Sequence, residues 1–199
     1  MPVTHEPSPY PGFAARAKSV FTTWLENPSQ VASVVPSSSA LTEAISERSC
    51  IREAGFVVDL GPGTGETTKA LLENMHRHST LLAIEKTEEF VGALRKIDDS
   101  RLVVSQGDAL HLAQFLGQLD REQADVIVSG IPFSALPAHD AQSIIRSVHQ
   151  ALVPGGQFIA YQFLNSIEGY AKLCFDKPEV MRVWRNLPPL RIYTWVKAS

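Results

Sequence analysis

The sequence predicts an α/β protein. Its sheet has seven strands, mostly parallel, with helices on both faces and an antiparallel last strand. Three patterns predict it. From Phe56 onward, short apolar runs alternate with helix-like stretches, as strand–helix crossovers require. A glycine-dense segment, Leu60-Gly-Pro-Gly-Thr-Gly65, joins the first run to its helix. Two strand-like runs close the chain without an intervening helix. The composition is ordinary for a globular chain, 199 residues with 44% hydrophobic and 20% charged, and implies one domain with a small extension. A net charge of −3 argues against a strongly basic nucleic-acid binder. Two cysteines are too few for a disulfide framework or a zinc site, so cytosolic thiols and no metal are expected.

Residues 1–12 carry four prolines and read as an extended arm. No basic n-region with an apolar run follows the start, so no signal peptide is expected. No run approaches the ~18 apolar residues of a membrane span. Residues 13–26 read as an amphipathic helix. Phe13, Phe21 and Trp24 lie on its apolar face, with Arg16 and Lys18 at the edges. Such a stripe either closes over a core or lies in a membrane interface with its cations reaching phosphates. Asn27-Pro28 stops it. The division expected is 1–35, arm and membrane or lid helix, and 36–199, the α/β domain. Ser39 or Thr42 would cap a helix running to about Glu53.

The alternation then runs FVVDL, helix 64–76, LLAIE, helix 87–97, RLVVSQ, helix 110–117, ADVIVSG, helix 139–152, GQFIAYQF and a looser helix near 167–175. VMRVWRNL and RIYTWVK end the chain as an antiparallel pair at the sheet edge.

Glycines Gly61, Gly63 and Gly65 allow a sharp turn and close approach of backbone to a ligand, with free N–H groups of a helix start behind them. The spacing is neither the nicotinamide G-x-G-x-x-G nor a P-loop. Asp59-Leu-Gly-x-Gly-x-Gly on strand–loop–helix resembles the first motif of S-adenosylmethionine-dependent methyltransferases. Glu85 ends the second strand, where a carboxylate can fix ribose hydroxyls. Lys86 follows it. Asp108, with Ala109 after it, ends the third strand. In methyltransferases an acid here accepts from the adenine amine; read alone it is equally an N-cap.

The fourth strand ends Ser129-Gly130-Ile131-Pro132-Phe133. Enzymes that methylate amino groups of nucleic acids carry Asn or Asp where Gly130 stands and Tyr where Phe133 stands. Without that side chain, Ser129, Gly130 and Phe133 remain as backbone carbonyls and an aromatic face, which suit an alkyl amine. The same ring is equally a core aromatic. His149 reads as structural and His139 as a surface residue. No side chain stands out as a dedicated base. After Tyr170 the chain is basic: Lys172, Lys177, Arg182, Arg185, Arg191 and Lys197 against Asp176 and Glu179. That segregation points to an anionic group on a substrate or surface.

Taken together, the residues resemble bacterial phospholipid N-methyltransferases, which methylate phosphatidylethanolamine toward phosphatidylcholine. The resemblance rests on Trp24-Leu-Glu-Asn-Pro28, Val34-Val-Pro-Ser-Ser38, Leu60–Gly65, Ser129-Gly-Ile-Pro132, Leu152-Val-Pro-Gly-Gly156 and Arg182-Val-Trp-Arg-Asn-Leu-Pro-Pro189. Asp59 departs from it, since members usually have Glu there. The resemblance implies a Rossmann-like class I methyltransferase fold. It implies that Asp59, Gly61, Gly63 and Glu85 bind S-adenosylmethionine and that the first helix docks on the membrane.

The expected enzyme is peripheral on the inner face of the cytoplasmic membrane, with anionic lipid as a further partner. Gly65, Lys86, Asp108, Ala109 and Ser129 complete the expected cofactor set. Arg182, Arg185 and Arg191 would hold the lipid phosphate, with Tyr10 and Tyr161 as further phosphate or amine contacts. The rival readings are an RNA adenine methyltransferase, a non-catalytic lipid-binding module and a soluble small-amine methyltransferase.

Overall fold

The computed structural model describes residues 38–185 and 189–198. The arm and first helix, with Tyr10, Phe13, Arg16, Lys18, Phe21 and Trp24, lie outside the described residues.

The elements are α1 (Ser39–Ser46), α2 (Ser49–Glu53), β1 (Phe56–Leu60), α3 (Glu66–Asn74), β2 (Thr80–Glu85), α4 (Glu88–Leu94) and β3 (Leu102–Gln106). They continue with a 3-10 turn (Ala109–His111), α5 (Leu112–Gly117), β4 (Ala124–Ser129), a second 3-10 turn (Phe133–Ala135) and α6 (Ala138–Ala151). The last are β5 (Leu152–Gln162), α7 (Ser166–Ala171), β6 (Glu179–Val183) and β7 (Leu190–Val196). The strands form one sheet in the order β3-β2-β1-β4-β5-β7-β6. β7 is antiparallel to both β5 and β6, so β6 points the same way as the parallel strands.

Alternation of side chains across the strands builds two apolar layers. Val57, Val128, Ile159 and Ile192 meet Leu41, Ile45, Leu71 and Leu72 of α1 and α3 on one face. Val58, Ile127, Phe158, Tyr193 and Trp195 meet Ile144, Ile145 and Val148 of α6 on the other. Central strands covered on both faces read as continuous apolar runs, and β1 is buried at every position.

The helical stretch before β1 differs from expectation in two ways. Ser38, not Ser39 or Thr42, caps α1, its side chain accepting from the Leu41 N–H. Neighbouring serines offer the same chemistry, and burial of Leu41 and Ile45 selects the register. The stretch to Glu53 is also two helices. Arg48 is extended, and its guanidinium donates to the Ala44 carbonyl (3.1 Å) and to Thr194 Oγ1 on β7 (2.8 Å). A tertiary bond breaks a helix that local propensity would continue. The helices expected at 64–76, 87–97 and 167–175 are shorter at their ends, while the one expected at 139–152 keeps its length and lies one residue earlier. At the foot of α3, Arg101 donates to the Leu72 and Met75 carbonyls, replacing the turn that would otherwise satisfy them.

β1 and β4 are neighbours, but the chain leaves them toward opposite sides of the sheet. Their carboxyl ends therefore open a crevice between diverging loops, where open α/β sheets bind ligands.

Candidate active site

The loop after β1 forms the floor of the crevice. Gly61, Gly63 and Gly65 have φ of 65°, 59° and 92°, the left-handed region that L side chains adopt only at a cost. At two of them space is closed as well. A Cβ on Gly61 would lie 2.9 Å from Ile131 Cγ1, and one on Gly65 2.9 Å from Leu94 Cδ2. A Cβ on Gly63 would meet nothing within 4 Å. The loop is therefore clamped at both ends and open in the middle.

Glu85 at the end of β2 holds that middle. Its carboxylate accepts from the Gly63 N–H (3.0 Å) and the Thr87 N–H (2.8 Å), and it is 6% exposed. Two of its acceptor positions are used by backbone; a carboxylate has about four, so two remain for a ligand's hydroxyls.

Asp59 lies beneath the loop, fully buried. Thr68 Oγ1 donates to its Oδ2 (2.8 Å), while Oδ1 has no hydrogen-bond partner among the described residues. Burial pushes its carboxyl up to about 7, opposed by the Thr68 hydrogen bond and assisted by the charge of Glu85. An unpartnered buried oxygen under an open glycine loop is a site waiting for a donor or a cation. This is the observation by which the crevice fits S-adenosylmethionine: donors of the cofactor's cationic end for Asp59, ribose hydroxyls for Glu85.

Asp108 follows β3 and does both things the sequence allows of it. Its Oδ1 accepts from the Leu110 N–H (3.0 Å) as an N-cap. Its Oδ2 pairs with Lys86 Nζ at 2.9 Å. Burial raises its pKa, but the Leu110 N–H and the Lys86 ammonium prevail and hold the carboxyl below its usual range. Lys86 is thus engaged by Asp108 while most of its side chain stays in water. Ala109 is buried at the start of the 3-10 turn.

The other wall is the loop after β4. Gly130 N–H donates to the Leu60 carbonyl (2.9 Å), tying the two loops together. Ser129 is fully buried, its Oγ accepting from the Ile131 N–H (3.2 Å). Phe133 corrects an expectation. Its ring is fully buried in the α6-side core, so it packs the protein and offers no aromatic face to an amine. The reason is its turn, which directs the ring inward beside Ile167 and Ala171.

Gln162 was not singled out by the sequence. At the end of β5 it accepts from the Phe133 N–H (3.3 Å) and donates to the Ile131 carbonyl (2.8 Å), bracing this loop. A polar residue ending an apolar strand at the ligand edge was the available signal. Thr67 and Thr68, at the start of α3, were missed for the same reason: threonines there look like helix surface. Both are buried.

Tyr161 fills the corner between the two loops. Its hydroxyl oxygen would lie 2.3 Å from a Cβ on Gly130 and accepts from Thr67 Oγ1 at 3.4 Å. Burial first, then the charge of Asp59, push its pKa up, so the phenol stays protonated at neutral pH. His139 is a surface residue whose Nε2 lies 3.0 Å from Asp140. His149 packs edge-on against Phe175 at 4.9 Å, as a structural residue does.

The arginines lie at the same carboxyl edge, Arg191 on β7 two strands from β4 and Arg182 on β6 three strands from it. Register aligns Gln162 with Arg191 and Arg191 with Arg182. Arg182 places its guanidinium carbon 5.7 Å from the centre of the Trp184 ring. Trp184 is 69% exposed, and Arg185 in the following turn is exposed too.

A family model for a methyltransferase domain matches residues 57–156. That span holds the glycine loop, Glu85, Asp108 and Gly130. The chain is an S-adenosylmethionine-dependent methyltransferase. It belongs to one family with an ornithine lipid N-methyltransferase from Singulisphaera acidiphila, which is 31% identical over 82% of this chain and 86% of that protein. Among solved structures, this methyltransferase is similar to the N-methyltransferase NodS of Bradyrhizobium japonicum with S-adenosylhomocysteine. There the TM-score is 0.66 at 12% identity, over 92% of this chain and 98% of that one. A second likeness is the 1,6-didemethyltoxoflavin-N1-methyltransferase of Burkholderia thailandensis, with a TM-score of 0.65 at 16% identity, over 98% and 94%. These likenesses show the fold, a Rossmann-like class I methyltransferase. The cofactor is S-adenosylmethionine. No helix among the described residues is long and apolar enough to cross a membrane.

Proposed function

We propose that this methyltransferase methylates the head-group amine of phosphatidylethanolamine and of its mono- and dimethyl forms, toward phosphatidylcholine, at a membrane surface. The observation that carries the reading is the pairing of a side-chain-free acceptor loop at Gly130 with an arginine-bearing edge on the same side of the sheet. The 31% identity to an ornithine lipid N-methyltransferase supports a lipid amine as acceptor.

S-adenosylmethionine brings a methyl group already activated on a sulfonium, so the protein's main task is alignment, which can supply ~7–11 kcal/mol of barrier reduction. Gly61, Gly63 and Gly65 would cradle the cofactor; Asp59 and Glu85 would take its amine and ribose donors. The Lys86–Asp108 pair and Ala109 would border its adenine. Ser129 fixes the turn that presents the Gly130 carbonyl. An alkyl ammonium of ordinary pKa near ~10 must shed its proton before it can accept a methyl, and a water-poor crevice favours the neutral amine. Arg182, Arg185 and Arg191 would hold the phosphate through their planar forks. Residues 13–26, with Phe13, Arg16, Lys18, Phe21 and Trp24, would dock on anionic lipid of the inner leaflet, and Tyr10 would contact the head group.

A second reading is methylation of ornithine lipid, the substrate in the name of the 31% relative. Ornithine lipid also presents an amine, and the carboxylate of its ornithine can pair with a guanidinium as a phosphate does, so the arginine edge fits both readings. The deciding experiment supplies labelled S-adenosylmethionine with liposomes containing phosphatidylethanolamine, ornithine lipid or neither. Label in methylated phosphatidylethanolamine is the expected result. Label in ornithine lipid alone replaces the substrate; no label in any lipid, with label entering RNA or a soluble amine supplied in parallel, overturns the lipid reading.

A further inference from the structure

Gly130 is bare because Tyr161 needs the room. An added Cβ would lie 2.3 Å from the Tyr161 hydroxyl, 2.7 Å from its Cζ and 2.8 Å from the Gly61 carbonyl. No side chain fits there without moving the tyrosine or the cofactor loop. The hydroxyl is therefore the polar side-chain atom that reaches the meeting point of the two loops, and it arrives from β5 rather than from β4. It is held from behind by Thr67 Oγ1 at 3.4 Å. A phenol oxygen has two acceptor positions, and Thr67 takes one.

We propose that Tyr161 is the amine-orienting residue of this enzyme, its hydroxyl oxygen accepting an N–H of the acceptor amine, with Gly130 kept small to admit it. This rests on the lipid-amine reading above. It has a consequence that depends on the number of methyl groups present. A neutral primary amine has two N–H donors, a secondary amine one, and a tertiary amine none. Tyr161 can therefore orient the first two acceptors by a hydrogen bond and the third only by contact of its ring. The phenol stays neutral at working pH, in keeping with an acceptor that takes no proton from the amine.

The test is Tyr161→Phe in the full-length chain, which keeps the ring and removes one oxygen. The wild type and the variant are compared on liposomes carrying phosphatidylethanolamine, its monomethyl form or its dimethyl form. Cofactor affinity is measured separately by calorimetry. The expected result is kcat reduced about tenfold to a hundredfold on the primary amine and less than about threefold on the dimethylated one. Cofactor Kd and melting temperature should stay within about twofold and a degree or two of wild type.

An equal loss on all three lipids, no loss at all, or weakened cofactor binding would each overturn the proposal. If the wild type methylates ornithine lipid and not phosphatidylethanolamine, the substrate reading fails. The same comparison is then made on ornithine lipid and its dimethyl form, with the same outcomes deciding Tyr161.

Discussion

Two regions at the carboxyl edge of one sheet solve different problems. In the β1–β4 crevice most groups are fixed by close neighbours, around a loop left open at Gly63. Gly61 meets Ile131, Gly130 meets Tyr161, Glu85 holds the Gly63 and Thr87 N–H groups, and Asp59 is sealed from water. At the β6–β7 edge, Arg182, Trp184 and Arg185 stand in solvent, with the Arg182 guanidinium 5.7 Å from the centre of the Trp184 ring. The crevice stores its specificity in geometry, so single atoms carry large penalties. The edge stores its in charge, which is additive and screened by salt.

The sharpest test of that difference is the buried acid. The carboxyl of Asp59 is raised from 3.8 to about 7 in the folded protein. The folded state therefore keeps its proton where the unfolded chain has released it. Stability should fall as pH rises from about 4 to about 7, on the order of 4 kcal/mol for this group. Asp59→Asn should flatten that decline and weaken S-adenosylmethionine binding. Urea midpoints of the apo enzyme across this pH range, with calorimetry alongside, check both. An unchanged decline in the variant would mean that the carboxyl is not the source.

The glycine loop should discriminate between closed and open positions. Gly61→Ala combines a left-handed φ with a collision and should cost about 3 kcal/mol. Gly63→Ala carries the same φ without the collision and should cost about 1 kcal/mol. Equal losses in thermal melts would erase the contrast. Gly63→Asp, by placing a carboxylate in the open space near Glu85, should abolish cofactor binding while sparing the fold.

Gly130→Ala should reduce turnover more than about a hundredfold, because an ångström of displacement at the reacting centre costs that much. Initial rates at saturating cofactor measure it.

The edge should behave in the opposite manner. Arg182→Ala and Arg185→Ala should leave stability within about 0.5 kcal/mol. Each should lower turnover on anionic liposomes several-fold, with the deficit shrinking as salt is added. A salt-independent deficit would assign these arginines a geometric role and break the comparison.

The β strands were readable because both faces of β1, β2 and β4 are covered, which leaves unbroken apolar runs such as FVVDL. The cofactor loop was readable because left-handed backbone selects glycine, and three at this spacing have few other uses. Asp108 was legible only as a pair of alternatives, since a cap and a ligand-facing acid share one residue type, and here Lys86 takes part of it. Phe133 was legible only as two alternatives, site aromatic or core aromatic, because an aromatic after a strand has no marker for the direction its turn will take. Thr67 and Thr68 were overlooked because nothing local distinguishes a buried hydroxyl from an exposed one, and Gln162 because its one local sign, a polar end to an apolar strand, does not say what the amide will brace.

The sequence by itself determined the alternation of strands and helices, the antiparallel end of the sheet, and the glycine and carboxylate chemistry of the cofactor loop, since periodicity and backbone strain are local properties. Only the tertiary structure decided where α1 begins and why it breaks at Arg48. It alone decided that Phe133 faces the core, and that Gly130 is small on account of a tyrosine on β5. Those outcomes depend on atoms about thirty to a hundred and fifty positions apart being brought within bonding distance, and no window of sequence contains both partners.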